Sequence, residues 1–370
     1  MILMKIIKNS LKCQRLRKSN HRKIGNRSLL NASVFLFDKS PNKGSIREIH
    51  NFSKQKNTVM QRSINYLEQL ILAAEKYKSN ICFGFDPVLS SLAPGYASAG
   101  INGFTLQTTE LFAYMKEQKV FPGAFKPNHG FYSKHDKPRQ GNFKGSIALG
   151  NLLNLIEKEF PDMPTILDFK RGDIAKSSKN YAEEGFGGWD TDAVTVAPYM
   201  GTDSMMPFAE YCGTQLEKVN NRGAYILNLT SNKGAKDFEM QRMADGSPLF
   251  MSVANWIRDN AGKYPGLGAV VGAPDLTGLK DLARFYSETG VEVPLLIPGV
   301  SGLIPGTGGQ GGKADEVMTM LKYVDYNTLI ARINVSSGLT HPWGTDPAPD
   351  DWKKIIVDNL FQYNKLVGMA

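Results

Sequence analysis

Eight short apolar runs, each ending in polar, Gly or Pro residues, constrain this chain more than any other feature. They are "NICFGFD" from Asn80, "GAFKPN" from Gly123, "PTILDFK" from Pro164, "DAVTVAPY" from Asp192, "GAYILNLT" from Gly223, "GAVVGA" from Gly268, "VPLLIPG" from Val293 and "NTLIARIN" from Asn327. Amphipathic segments long enough for helices lie between them, among them "SIALGNLLNLIEKEF", "SPLFMSVANWIRDNA", "LKDLARFYSETG" and "ADEVMTMLKYV". Strand and helix in alternation imply parallel strands joined by right-handed crossovers. Eight such units predict an α/β fold of the closed (β/α)8 TIM barrel type, and 370 residues with 42% hydrophobic content supply core enough for it.

Charge divides the chain unevenly. Residues 1–58 hold fourteen Lys+Arg against only Asp38 and Glu48, whereas the remainder carries 30 basic and 33 acidic side chains. The overall net charge of +9 is therefore a property of the leader and not of the body. We read 1–58 as a basic, unstructured extension, or as sequence upstream of a functional chain starting at Met60, and 59–370 as the barrel domain. Regular patterning starts only with "SINYLEQLILAAEKY". The leader's one apolar patch, "SVFLF" at Ser33, is too short for a membrane span or a signal-peptide core, and its acid-poor composition matches a transit-type peptide only in part.

Cys13, Cys82 and Cys212 show no CxxC spacing and read as reduced thiols of an intracellular protein. The five histidines show no HExxH or other ligand spacing, so no metal site is expected. "GTGGQG", Gly306 to Gly311, matches GxGxxG literally, but it follows the seventh strand rather than opening the first βαβ unit, which argues against a dinucleotide site.

In a barrel of this kind the strand carboxyl ends form the face where active sites assemble. Four charged residues fall there: Asp86 after the first run, Lys126 after the second, and Asp168 and Lys170 at the end of the third, with Asp173 in the loop beyond. Alternation along a strand puts Asp168 and Lys170 on one side. Carboxylates beside an ammonium favour its charged form, which suits a general acid better than a Schiff-base nucleophile. A solvated charge cluster would explain the DxKxxD spacing alone; it explains less well several charges aimed at one cavity. After the seventh run, "PGVSGLIPGTGGQGGKADEV" is rich in glycine just before a helix expected near Lys313, as a phosphate cradle would be.

These residues resemble the orotidine 5'-phosphate decarboxylase family, in particular its longer subgroup. "LDFKRGDI" is similar to the family's DxKxxD signature, "FGFDP" and "FKPNHGF" to the ends of its first two strands, "APYMGTDSMMPF" and "LNLTSNKG" to its middle segments, and "PLLIPGV" with "GGQGG" to its phosphate loop. The resemblance covers about Ser63 to the carboxyl end. It implies decarboxylation of orotidine 5'-monophosphate to UMP, the last step of de novo pyrimidine nucleotide synthesis, without a cofactor. Lys170 would donate the proton to C6, Asp168 would face the departing CO2, and Asp173 would reach into a partner's site across a homodimer. Asp86 and Lys126 would contact the ribose, Ser231 the pyrimidine edge, and Pro298, the amides beyond it and Gln310 the phosphate and closing loop.

The family usually carries a phosphate-gripping arginine just after the eighth strand. Ser337 occupies that place here, leaving Arg332, or Ser336, Ser337 and backbone amides, as candidate phosphate contacts. The implied enzyme is cytoplasmic, not membrane-bound, and monofunctional. Other readings are a metal-dependent sugar-phosphate lyase of the same barrel superfamily and a non-catalytic nucleotide-binding relative. Nucleic-acid binding by the basic leader is a third reading, one that salt sensitivity would reveal.

Overall fold

Each of the eight apolar runs overlaps a strand: β1 (Ile81–Phe85), β2 (Ala124–Pro127), β3 (Ile166–Arg171), β4 (Ala193–Val196), β5 (Gly223–Leu229), β6 (Leu267–Val271), β7 (Leu295–Ile297) and β8 (Arg332–Val335). The structure, a computed structural model, describes residues 64–215, 218–219, 221–300 and 312–369. The extension expected at 1–58, with Cys13, and the start of the barrel domain at 59–63 lie outside the described residues. All eight strands pair in parallel, in the order β2-β1-β8-β7-β6-β5-β4-β3. The outermost two, β2 and β3, meet through bridges at Phe125–Thr165 and Asn128–Asp168, which brings the sheet round into a (β/α)8 TIM barrel.

One helix (α1, Tyr66–Tyr77) precedes β1, and a helix of at least eight residues follows every strand: α2 (Ile101–Gln118), α3 (Lys144–Glu159), α4 (Ala175–Glu183), α5 (Thr202–Ala209), α6 (Leu249–Ala261), α7 (Leu276–Glu288), α8 (Ala314–Tyr323) and α9 (Trp352–Leu366). In α7, Leu279, Leu282, Ala283 and Tyr286 are buried, the spacing of one helical face, and the Asp275 side chain caps the amino end by accepting from Gly278 N–H at 3.0 Å. A capping box starts α1, where the Asn65 side chain accepts from Glu68 N–H and the Glu68 carboxylate accepts from Asn65 N–H. No helix among the described residues is long and apolar enough to cross a membrane.

Strands covered by helices outside and by side chains inside are apolar on both faces, which is why the runs show no simple alternation. Outside β1 and β2, the rings of Phe83, Phe85, Phe112, Phe125 and Phe160 pack at centroid distances between 4.8 and 6.3 Å. Each fully buried ring contributes roughly 1.5–3 kcal/mol. At the amino ends of the strands α1 closes the floor, with Tyr66 hydroxyl 3.2 Å from that of Tyr225. Gly223 makes this closure possible, because a Cβ there would stand 2.5 Å from the Tyr66 ring.

The eighth run departs from expectation. Its first half is a 3-10 turn, Thr328–Ile330, begun by the Asn327 side chain accepting from Leu329 N–H at 3.2 Å. The strand therefore starts at Arg332, which puts that residue at the floor and not partway up the wall.

Candidate active site

The third strand ends irregularly. Between Leu167 and Arg171 it advances four residues while β4 advances two, from Val194 to Val196. Lys170 absorbs the excess with φ of 45°, a left-handed conformation that a side-chain-bearing residue adopts only under constraint. Two hydrogen bonds hold the bulge: Lys170 N–H donates to Thr195 Oγ1 at 3.0 Å, and Thr195 Oγ1 donates to Asp168 Oδ1 at 2.9 Å. Lys170 Nζ returns to the same Oδ1 at 2.5 Å. Asp168 and Lys170 meet as expected, although through a bulge rather than through regular pleating.

Lys126, near the end of β2, donates to Asp168 Oδ2 at 2.7 Å, so the carboxylate lies between two ammonium groups. Lys126 and Asp168 are buried, whereas the Lys170 side chain is 49% exposed and faces the mouth. Burial would raise the pKa of Asp168, but the charges of Lys126 and Lys170 outweigh it and hold the carboxyl far below its usual range. For Lys126 burial acts downward, and Asp168 and Asp86 more than reverse it, so the pKa is raised.

A cavity of about 440 Å³ opens above these groups, within the usual size range of small-ligand sites. Its wall includes Lys126, Asp168, Lys170, Thr195, Ser231 and Pro298. Five expected residues are thus brought together. Glu239 also lines it, accepting from Thr230 N–H at 2.6 Å and from Thr230 Oγ1 at 2.7 Å, which ties down the loop bearing Ser231. Asp86 follows β1 at the same end of the barrel, and its Oδ1 is buried without a hydrogen-bond partner. Asp173 lies in the loop after β3, accepts from Ile174 N–H at 2.7 Å, and is not part of the cavity wall. Gln310 lies outside the described residues, as does most of the glycine-rich loop; the helix expected after it starts at Ala314.

Arg332 does not stand at the mouth. As the first residue of β8 it is fully buried at the floor, donating to the carbonyls of Gly123 at 3.1 Å, Leu329 at 3.0 Å, Ala331 at 2.9 Å and Leu70 at 2.5 Å. The reading of Arg332 as a phosphate contact is therefore corrected. Ser336 and Ser337 do follow β8 at the upper end, with Ser336 so close to β1 that a Cβ on Gly84 would meet its Oγ at 2.1 Å. Glu239 was missed in the sequence, and so was Thr195. Its signal was one hydroxyl inside "AVTV", on the strand next to Asp168.

Cys82 and Cys212 are buried free thiols, and burial pushes the Cys82 pKa up to about 12. Among the described residues, no group of three or more His, Cys, Asp or Glu is placed to hold a metal ion.

Comparison with known proteins agrees with this architecture. Residues 80–330 match the model of the orotidine 5'-phosphate decarboxylase / HUMPS family. The orotidine 5'-phosphate decarboxylase of Roseiflexus sp. (strain RS-1) is 33% identical over 273 residues, covering 74% of this chain and 88% of the relative. That of Porphyromonas gingivalis is 39% identical over 198 residues, covering 52% of this chain and 61% of its own. The solved structure of Leishmania donovani OMP decarboxylase superposes with a TM-score of 0.58 at 24% identity, over 82% of this chain and 99% of that one, which bears on the fold alone.

Proposed function

This chain belongs to the orotidine 5'-phosphate decarboxylase / HUMPS family, and from that membership we propose that it converts orotidine 5'-monophosphate to UMP and CO2. The observation that carries the reading is the run Lys126–Asp168–Lys170 at the barrel mouth, with the outermost ammonium open to the cavity.

Breaking the C6–carboxylate bond leaves its electron pair on C6, where the pyrimidine ring delocalises it poorly. The Lys170 ammonium stabilises that charge and then transfers a proton from Nζ to C6, regaining one from solvent afterwards. Asp168 orients Lys170 and faces the leaving CO2. Every 1.36 kcal/mol of this stabilisation is worth about tenfold in rate. Both oxygens of Asp168 are engaged, so the ammonium starts near its working position and little reorganisation is needed.

Asp86 and Lys126 contact the ribose, and the bare Oδ1 of Asp86 suits a hydroxyl donor. Ser231 meets the pyrimidine edge. The phosphate is held beyond Pro298 and at Ser336 and Ser337, where the side chains are neutral. Asp173 serves a partner's site in a homodimer that joins at the mouth, where Ile174, Tyr199, Met200 and Phe238 are exposed. The reaction needs no cofactor and runs in the cytoplasm.

The test adds orotidine 5'-monophosphate to the purified chain in EDTA and follows the loss of orotate absorbance. Loss that disappears in Lys170→Ala, with the fold retained, supports the reading. A requirement for added magnesium would favour the sugar-phosphate lyase reading, and UMP binding without turnover a non-catalytic relative.

A further inference from the structure

We propose that Thr195 is a positioning residue, whose hydroxyl holds the Lys170 backbone in the left-handed turn that returns the ammonium to Asp168 and presents it to the reacting carbon. This role rests on the decarboxylase reading. It adds a group that touches neither the leaving carboxylate nor the proton in flight.

The geometry sets a demanding requirement. One atom must accept from an amide and donate to a carboxylate oxygen at the same time, and Thr195 Oγ1 does so at 3.0 Å from Lys170 N and 2.9 Å from Asp168 Oδ1. A hydroxyl has both capacities, whereas a methyl has neither. Thr195 is 1% exposed and β-branched, so its χ1 is restricted and the oxygen stays where the two partners need it.

The same three residues close a loop of contacts. Lys170 Nζ lies 2.5 Å from the Asp168 oxygen that Thr195 also bonds, and Lys126 occupies the other oxygen. Without the hydroxyl, the Lys170 amide loses its acceptor and the left-handed residue loses a constraint. The ammonium then relaxes toward solvent, since its side chain is half exposed. A simple space-filling role for Thr195 would require none of these polarities.

Thr195→Val keeps the shape and removes the hydroxyl; Thr195→Ser keeps the hydroxyl and removes the methyl. In the valine variant kcat is expected to fall about 100-fold, the scale of a misplaced reacting group, while UMP affinity holds. The serine variant is expected to retain most of kcat. Hydrogen exchange of the Lys170 amide, followed by NMR, is expected to quicken in Thr195→Val and stay slow in Thr195→Ser. Thr195→Ala replaces the valine variant if that does not fold. Undiminished kcat in the valine or alanine variant, equal loss in the serine variant, or equal amide protection in all would overturn the proposal. If the parent chain leaves the substrate intact, the decarboxylase reading fails, and the exchange comparison still decides whether Thr195 holds Lys170.

Discussion

Lys126 Nζ stands 2.7 Å from Asp168 Oδ2 with both side chains nearly out of solvent, so each charge depends on the other for its place inside the barrel. Removing one member of such a pair costs about 3–5 kcal/mol, because the survivor is left charged in a poorly solvated site. Lys170 shares the load on Asp168, which places Lys126→Met at the lower end, about 3 kcal/mol. Urea unfolding measures it, and an unchanged midpoint would mean that Lys170 alone compensates Asp168.

Asp168 also makes a pH prediction. Its folded pKa lies below the unfolded value of about 3.9, so its stabilisation is present above that pH and is lost as pH falls through the folded value. Lys126 works in the other direction. Its folded pKa is raised above about 10.4, so its contribution is complete below that pH and is lost as pH rises through the folded value. The stability difference between the parent and Asp168→Asn should be level near neutrality and narrow below about pH 4. A difference that widens in acid would contradict the assignment.

Arg332 should matter to folding and not to substrate. Arg332→Met strips donors from four carbonyls at the barrel floor, of which that of Ala331 keeps Asn80 Nδ2. Each unsatisfied buried group costs about 1–3 kcal/mol, so a loss of at least about 3 kcal/mol is expected in urea unfolding. The KM for orotidine 5'-monophosphate should not move in the protein that remains folded, and a raised KM with unchanged stability would return Arg332 to the phosphate.

Placing a cation at the end of β8 offers the reverse experiment. Ser337→Arg adds a guanidinium at the end of β8, and a charge-assisted bond to phosphate should lower KM by about tenfold. No change, with the fold intact, would put the phosphate elsewhere.

The face around the mouth predicts an oligomer. Tyr199 and Phe238 meet edge to face at 6.5 Å, and both are largely exposed. Tyr199→Glu should shift sedimentation from dimer to monomer and depress activity, if Asp173 completes the partner's site. A parent chain that sediments as a monomer at working concentration would exclude this arrangement.

Much of the architecture is legible in the sequence, since burial on both faces of a strand leaves an apolar run and a strand end leaves Gly, Pro or charge. That reasoning located Lys126, Asp168 and Lys170 at one end of the barrel, and Ser231 and Pro298 with them. It failed at "NTLIARIN", where the Asn327 side chain closes a turn inside an apolar run and moves the strand start to Arg332.

The sequence by itself determined the barrel, its eight units and the charged residues at their ends, because hydrophobic pattern and turn chemistry act over a few residues. Only the tertiary structure decided how those ends are shaped. The bulge at Lys170 is bonded by Thr195, 25 positions away, and Arg332 is buried against carbonyls from Gly123, just before β2, and from α1. Register between strands is set by hydrogen bonds across the sheet. A pattern read along one strand carries no information about them.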